Sequence, residues 1–402
     1  MSSGFDVERM RTAKGGDPGL LAAFLLLAGL GMATLWSASS GYAISLGKSG
    51  AYFVIRQALY LVPSTLVFIL CAYVPIDKIR SKIGPITLIG LGALLLPFVP
   101  GLGENRNGAS RWIDLRIATF QPSEFWKPIA VLYLAHVLDR RSSGSGETGF
   151  GFDGSAALIA PFLLISLACL LIYLQNDFST AVVAALASLV VFWAAGAPYS
   201  FFLGIGAVTA PLAALSVLTS DFRLRRILAF LFPAYEPHGQ GYQVLGSIRA
   251  IRSGGFFGKG IGLGTVKLSS VPEVQSDFVF SAWAEETGFV GVLAFFALWA
   301  FMAWRAFRIA FNEPDAFRSY LAFGLASLLL VEMLINVAVA VGAVPATGMA
   351  LPFFSAGGSA LISSAGVCGL LYNLSRGGSE RERGGEDEFG AFRFDAREVG
   401  DV

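Results

Sequence analysis

An all-α polytopic membrane protein of about ten transmembrane helices is the fold class this sequence predicts, and three observations predict it. Of 402 residues, 55% are apolar and only 14% are charged, against roughly 25% charged in ordinary globular chains. The apolar residues fall in long blocks, and cations gather in alternate connections between those blocks. Such a composition excludes a secreted, cytosolic or nucleic-acid-coating protein. A net charge of +1 leaves no average field for a polyanion, so any charge-based function is local.

A span needs about 20 mostly apolar residues. The runs are Leu20–Leu35, Phe53–Tyr73, Ile83–Val99, Phe125–Leu138, Ala156–Leu174, Phe178–Ala195, Phe201–Leu218, Phe289–Trp304, Leu321–Val341 and Ala360–Leu374. The fourth, eighth and tenth are short and are expected to extend into neighbouring polar sequence. One set of connections holds Arg9, Arg11, Lys14, Lys78, Arg80, Lys82, Arg140, Arg141, Arg305, Arg308, Arg318 and the tail arginines; the opposite short connections hold Lys48, Arg106, Arg111 and Arg116. The positive-inside rule puts the first set and both termini in the cytoplasm. The organisation expected is a cytoplasmic N-terminal tail (1–18), a membrane domain (19–375) with one large extracytoplasmic loop (219–285), and a C-terminal tail (376–402). That tail mixes glycine with acids and arginines, buries little apolar surface and is expected to be disordered.

Cys71, Cys169 and Cys368 all lie inside apolar runs and read as small buried hydrophobes. Two histidines, His136 and His238, leave no basis for a histidine metal cage. The cationic N-terminus followed by an apolar run resembles a signal peptide, but with so many later runs a retained first span is expected.

Ionisable residues in or beside spans point to function by default. Arg56 and Gln57 open the second run, Glu124 and Lys127 the fourth; Asp177 separates the fifth from the sixth, and Asp277, Glu285 and Glu286 precede the eighth. Glu124 and Lys127 share a helix face, either as a buried ion pair that fixes the helix or as part of a site. Arg56 either reaches for the outer interface or binds an anion. Glu332 and Asn336 read as helix–helix contacts. In the outer connection Asn105–Asp114, Arg111 suits bidentate phosphate contact and Trp112 the headgroup layer. The glycine-rich stretch Gly254–Gly264 has no strand–helix context for a dinucleotide site and reads as a turn-rich re-entrant segment. Pro352–Ser359 breaks the last apolar stretch, which at membrane depth is tolerated only in packed or cavity-lining backbone. These features fall at the outer ends of spans. Cations, carboxylates and irregular backbone gathered in one leaflet suit an amphiphile with an anionic head and a lipid tail.

Trp36-Ser-Ala-Ser-Ser40, Arg56-Gln57, Asn107-Gly-Ala-Ser-Arg-Trp-Ile113, Gln121-Pro-Ser-Glu124 with Lys127, Gly241-Tyr-Gln243, Asp277-Phe-Val-Phe280, Glu285-Glu286 and Leu351-Pro-Phe-Phe-Ser-Ala-Gly-Gly-Ser359 together resemble the SEDS family (shape, elongation, division and sporulation) from about Leu20 to Arg376. The resemblance implies a ten-span peptidoglycan glycosyltransferase of the bacterial cytoplasmic (inner) membrane, its active site facing the extracytoplasmic side. Ser37–Ser40, Arg56-Gln57 and Leu371–Arg376 look more like the division (FtsW) branch than the elongation (RodA) branch. The chain departs from the family pattern at Asn176, where proline is usual, and at Pro128, Ser179, Gln275, Ser276 and Ala356.

The implied reaction transfers a growing undecaprenyl-pyrophosphate-linked glycan to the GlcNAc 4-hydroxyl of lipid II and releases undecaprenyl pyrophosphate. Asp277 is then the catalytic carboxylate, as general base or as holder of a divalent cation (Mg or Mn); the sequence leaves both roles and the metal open. Arg56, Arg111, Trp112, Gln121, Ser123, Glu124, Lys127, Asp177, Gln243, Ser355, Gly357, Gly358 and Ser359 are the substrate-contacting candidates. The implied partners are a single-span class B penicillin-binding transpeptidase and other division or elongation proteins, with no nucleic acid. The transpeptidase is expected to dock on the eighth and ninth spans and the long loop, using Ser327, Glu332 and Asn336 as polar contacts. A lipid II flippase or transporter and a non-enzymatic scaffold are the competing classes.

Overall fold

Every apolar run coincides with a helix in the computed structural model, which describes residues 15–106, 109–114, 116, 119–142, 156–232, 240–265 and 274–391. The expectations for Arg9, Arg11, Lys14, Asn107, His238 and residues 392–402 lie outside the described residues. The helices are α1 (Pro18–Ser45), α2 (Tyr52–Tyr73), α3 (Ile76–Ser81), α4 (Ile83–Leu95), α5 (Pro122–Ser142), α6 (Ala156–Leu174), α7 (Phe178–Ala194), α8 (Tyr199–Leu218), α9 (Asp221–Leu231), α10 (Gln240–Gly254), α11 (Val279–Asn312), α12 (Ala316–Ala340) and α13 (Gly358–Ala391). Among the described residues five of them, α1, α2, α8, α11 and α12, are long and apolar enough to cross a membrane.

Local sequence sets several of the helix starts. Asp17, Asp177 and Asp315 each accept a hydrogen bond from a backbone N–H of the first turn, capping α1, α7 and α12. Pro18 occupies the first turn of α1, where its missing N–H costs nothing. Asn176 enters the α7 cap with a φ of 60°. That left-handed conformation suits asparagine and is closed to proline, whose φ is fixed near −65°.

Packing sorts the helices into a core and a lipid-facing rim. Most of α12 is buried, against α5, α7 and α11, whereas α8 has no buried residue. Small residues set the close approaches. A Cβ on Gly31 would strike the Phe353 carbonyl, and one on Gly369 would strike the backbone of Phe68. At one end of the bundle lie the ion pairs Arg80–Asp139, Arg80–Asp315 (3.8 Å) and Arg318–Asp77 (3.4 Å). At the same end Asp17 takes the Arg305 guanidinium (2.9 and 3.0 Å) and its N–H donates to Ser375 (2.8 Å).

Three expectations change. The connection after α4 carries an antiparallel three-stranded sheet, β1 (Gly103–Arg106), β2 (Ala109–Asp114) and β3 (Thr119–Phe120). Those strands pair their own backbone groups and so need no helix to satisfy them. The region 219–285 is not one long loop: α9, α10 and the start of α11 occupy much of it. Finally, α13 continues to Ala391 where disorder is expected; extending a helix already nucleated by a buried segment avoids the initiation cost that an isolated tail would meet.

The glycine-rich stretch is tied to a break in α11. Gly288 there has φ 65° and ψ −164°, a region open essentially to glycine alone. Phe289 and Val290 donate their N–H groups to Gly255 and Phe256, while Lys259 and Gly260 donate to Glu285 and Glu286 carbonyls (2.9–3.2 Å). The Glu285 carboxylate, fully buried, accepts from Lys259 Nζ and the Thr265 N–H (both 3.0 Å). That of Glu286 accepts from the Gly262 N–H (3.0 Å) and from Ser37 of α1. We expect Gly288→Ala, whose Cβ would overlap the Gly258 nitrogen, to cost about 1–3 kcal/mol from backbone strain alone. A lowered thermal midpoint in detergent, with the open position Gly29→Ala unaffected, is the measurement.

Candidate active site

Five helices, α2, α5, α7, α11 and α13, begin around one cavity of about 350 Å³. Helix beginnings carry unpaired N–H groups and the positive end of the helix dipole, so this geometry favours an anion before any side chain is counted. Of the residues expected from sequence, Arg56, Arg111, Trp112, Gln121, Glu124, Asp277, Gly357, Gly358 and Ser359 line it. Ser123, Lys127, Asp177 and Ser355 are buried behind the wall. Gln243 does not line the cavity; its helix, α10, packs its neighbours Val244 and Ile248 against Gly342 at the end of α12.

Arg111 comes from β2 and stacks its guanidinium 4.1 Å from the Trp112 ring centre. Nη1 pairs with Asp177 Oδ1 at 3.2 Å. The other oxygen of Asp177 accepts from Gln121 (2.9 Å) and Ser123 (3.3 Å). Asp177 is therefore buried, with both carboxylate oxygens engaged by protein groups. Arg111 Nη2 and Asp277 Oδ2 each lie 3.7 Å from where a Cβ of residue 348 would sit, so Gly348 leaves room between them. Burial in α9 lowers the Arg226 guanidinium from its ordinary range; Asp277 opposes the shift and the like charge of Arg111 adds to it.

The segment carrying Asp277 is stitched to the break before α13. Ser355 Oγ donates to the Ser276 carbonyl (2.5 Å) and accepts from the Leu351 N–H (2.8 Å); the Ala356 N–H donates to the Gln275 carbonyl (2.8 Å). Phe353 in this break has φ 69°, a strained value for an aromatic residue. Gln57 of α2 donates to the Ser355 carbonyl (3.1 Å) and accepts from the Gly357 N–H (3.3 Å).

Residues 19–380 match the cell cycle protein family FtsW/RodA/SpoVE. The chain belongs to this family. It is 36% identical to a probable peptidoglycan glycosyltransferase FtsW of Geobacter sp. (strain M18), over 91% of this chain and 98% of that one. Stage V sporulation protein E of Bacillus subtilis (strain 168) is 32% identical over 91% and 99%. A chain from a peptidoglycan synthase complex that coordinates polymerization and crosslinking superposes with a TM-score of 0.74 at 29% identity, covering 90% of this chain and 98% of its own. The rod shape determining protein RodA of Thermus thermophilus gives 0.66 at 27% identity, covering 90% and 97%. Family and helices together make the chain a multi-pass membrane protein.

Below the cavity lies a charge cluster only half legible in sequence. Lys127 Nζ pairs with Glu124 Oε2 (2.8 Å) and with Glu332 of α12. The pairing of Glu124 with Lys127 follows from their spacing; Glu332, distant in sequence, does not. Ser327, Glu332 and Asn336 are all buried, so the polar face of α12 is turned into the bundle and is not free for a partner. Gln57, Tyr60, Thr119 and Ser276 also line the cavity without having been candidates; Gln57 was signalled by its place beside Arg56.

Removing one member of a buried ion cluster typically costs about 3–5 kcal/mol. We expect Lys127→Met to destabilise strongly and Glu124→Gln/Lys127→Met to be less destabilised than the sum of its parts. A double-mutant cycle on thermal unfolding tests this; additive effects would mean that the pair does not interact.

Proposed function

We propose that this chain is a peptidoglycan glycan-strand polymerase: it transfers an undecaprenyl-pyrophosphate-linked glycan to the GlcNAc 4-hydroxyl of lipid II. The observation that carries the reading is Asp277 beside Arg111 in a cavity ringed by helix beginnings. The names of the relatives support it. The attacking hydroxyl must lose a proton to the base as its oxygen bonds to the sugar's anomeric carbon, and the bond to pyrophosphate breaks with inversion. A positioned carboxylate contributes about 10²- to 10⁴-fold as base, and Asp277 is that carboxylate in this proposal. The leaving pyrophosphate gathers negative charge, which Arg111, Arg56 and the helix beginnings meet in a partly water-excluded site. Asp177 holds the Arg111 fork in place, so that its free edge is pre-oriented.

Among the described residues no three His, Cys, Asp or Glu side chains converge to hold a metal, but Mg is commonly held by one or two carboxylates together with substrate phosphates. Asp277 with the pyrophosphate would hold a Mg or Mn ion in that way, adding positive charge to that of the arginines.

Orientation follows from charge. Arg80, Arg305 and Arg318 cluster at the end opposite the cavity, which favours that end in the cytoplasm and the cavity on the outer face of a bacterial inner membrane. In this proposal the spans number ten and the division-type branch is favoured by the FtsW relatives. A single-span class B penicillin-binding transpeptidase crosslinks the product. It docks on the exposed apolar face of α11 (Val290, Leu293, Phe301, Trp304), since the polar face of α12 is buried.

Asp277→Asn is expected to lower polymerisation of lipid II by purified protein at least about 10²-fold, with the thermal midpoint retained. Near-normal product lengths on a gel would refute the assignment. Lipid II translocation in liposomes that persists in the same variant would favour the transporter class.

A further inference from the structure

Two buried residues of α12 act on the cavity from behind. Asn336, 1% exposed, donates from Nδ2 to the Asp277 carbonyl at 3.3 Å and to the Met349 carbonyl at 2.8 Å. Its Oδ1 is buried without a hydrogen-bond partner among the described residues. One helical turn earlier on the same face, Glu332 is ion-paired to Lys127, which in turn holds Glu124 at 2.8 Å. Asp277 and Glu124 both line the cavity.

A buried amide with an unsatisfied oxygen costs more than an apolar residue of the same shape. A second carboxylate on one ammonium is likewise poor value for stability in a dry interior. Both side chains do their work through another residue. The amide fixes the backbone from which the Asp277 carboxylate springs, and the glutamate fixes the ammonium on which Glu124 rests. The helix that carries them is packed on several sides, so their spacing is rigid.

We infer that one face of α12 sets the relative position of the two cavity carboxylates, with Asn336 a positioning residue for Asp277 and Glu332 a positioning residue for Glu124; the catalytic meaning of this spacing rests on the polymerase reading above. The observations so assign to these residues a role other than partner contact or simple helix–helix adhesion.

The test uses the full chain in lipid nanodiscs, with lipid II as substrate. Asn336→Ala should lower kcat at least about 10-fold with KM within about 2-fold, because misplacing a reacting group by about an ångström costs on that scale or more. Backbone hydrogen exchange should accelerate at residues 275–280 and not along the rest of α11. Glu332→Gln should give the same kcat–KM split with exchange at 275–280 unchanged, and Glu332→Asp should restore part of the rate. Should Asn336→Ala fail to fold, Asn336→Ser, shorter but still a donor, is read the same way. Unchanged kcat and unchanged exchange in the Asn336 variant, or a uniform loss of protection along the chain, would overturn the positioning role. A wild-type chain that makes no glycan while the exchange signature is present would support the positioning role and overturn the reaction instead.

Discussion

Away from its two water-facing ends, this chain must satisfy its backbone polar groups from its own atoms, because lipid offers no hydrogen bonds in return. That constraint turns buried charges into structural pins. Lys127 joins α5 to α12 through Glu332, and Arg111 joins β2 to the start of α7 through Asp177. Glu286 joins the glycine-rich stretch to α1 through Ser37. Each pin connects elements far apart in sequence. Losing one partner leaves a poorly solvated charge, so the helices are held in register more by that penalty than by the net attraction of each pair.

The same constraint divides labour at the cavity. Groups at its wall can be polar and incompletely paired because they meet water or a polar ligand. Groups one layer back rely on protein partners, as Asp177, Lys127 and Ser355 do. The outer layer faces what enters, and the inner layer keeps the outer one aimed. Broken backbone supplies the rest: the strained Leu351–Ser355 turn and the Gly288 break both fall where helices start or restart beside other backbone.

Much of the architecture was readable because hydrophobicity is a local property. The apolar runs marked the helices, and spacing alone paired Glu124 with Lys127. What escaped was whatever depends on a distant neighbour. Glu332 and Asn336 read as helix–helix contacts, and Glu332 makes one with Lys127, but nothing in their own segment points to Lys127 or to the Asp277 carbonyl as the partner. Gln243 was chosen from its motif, yet α10 packs on the end of α12 rather than on the cavity. The sheet after α4 was hidden because two- to six-residue strands at a membrane surface leave no hydrophobic period to detect. The pairing of Asp177 with Arg111 was likewise out of reach, since the two are far apart in sequence and which cation a carboxylate meets is set by the fold.

The clasp of Asp17 with Arg305 and Ser375 bears on the geometry of the chain's two ends. The residue that caps α1 is within one hydrogen bond of α13, so the entry to α1 at Asp17 and the exit of α13 from the bundle at Ser375 lie side by side. Two short peptides tethered at a common point meet each other at a far higher local concentration than either meets anything in solution. A binding protein with a modest grip on each would hold both together tightly, and halves of a split reporter fused to the two ends would assemble within a single molecule.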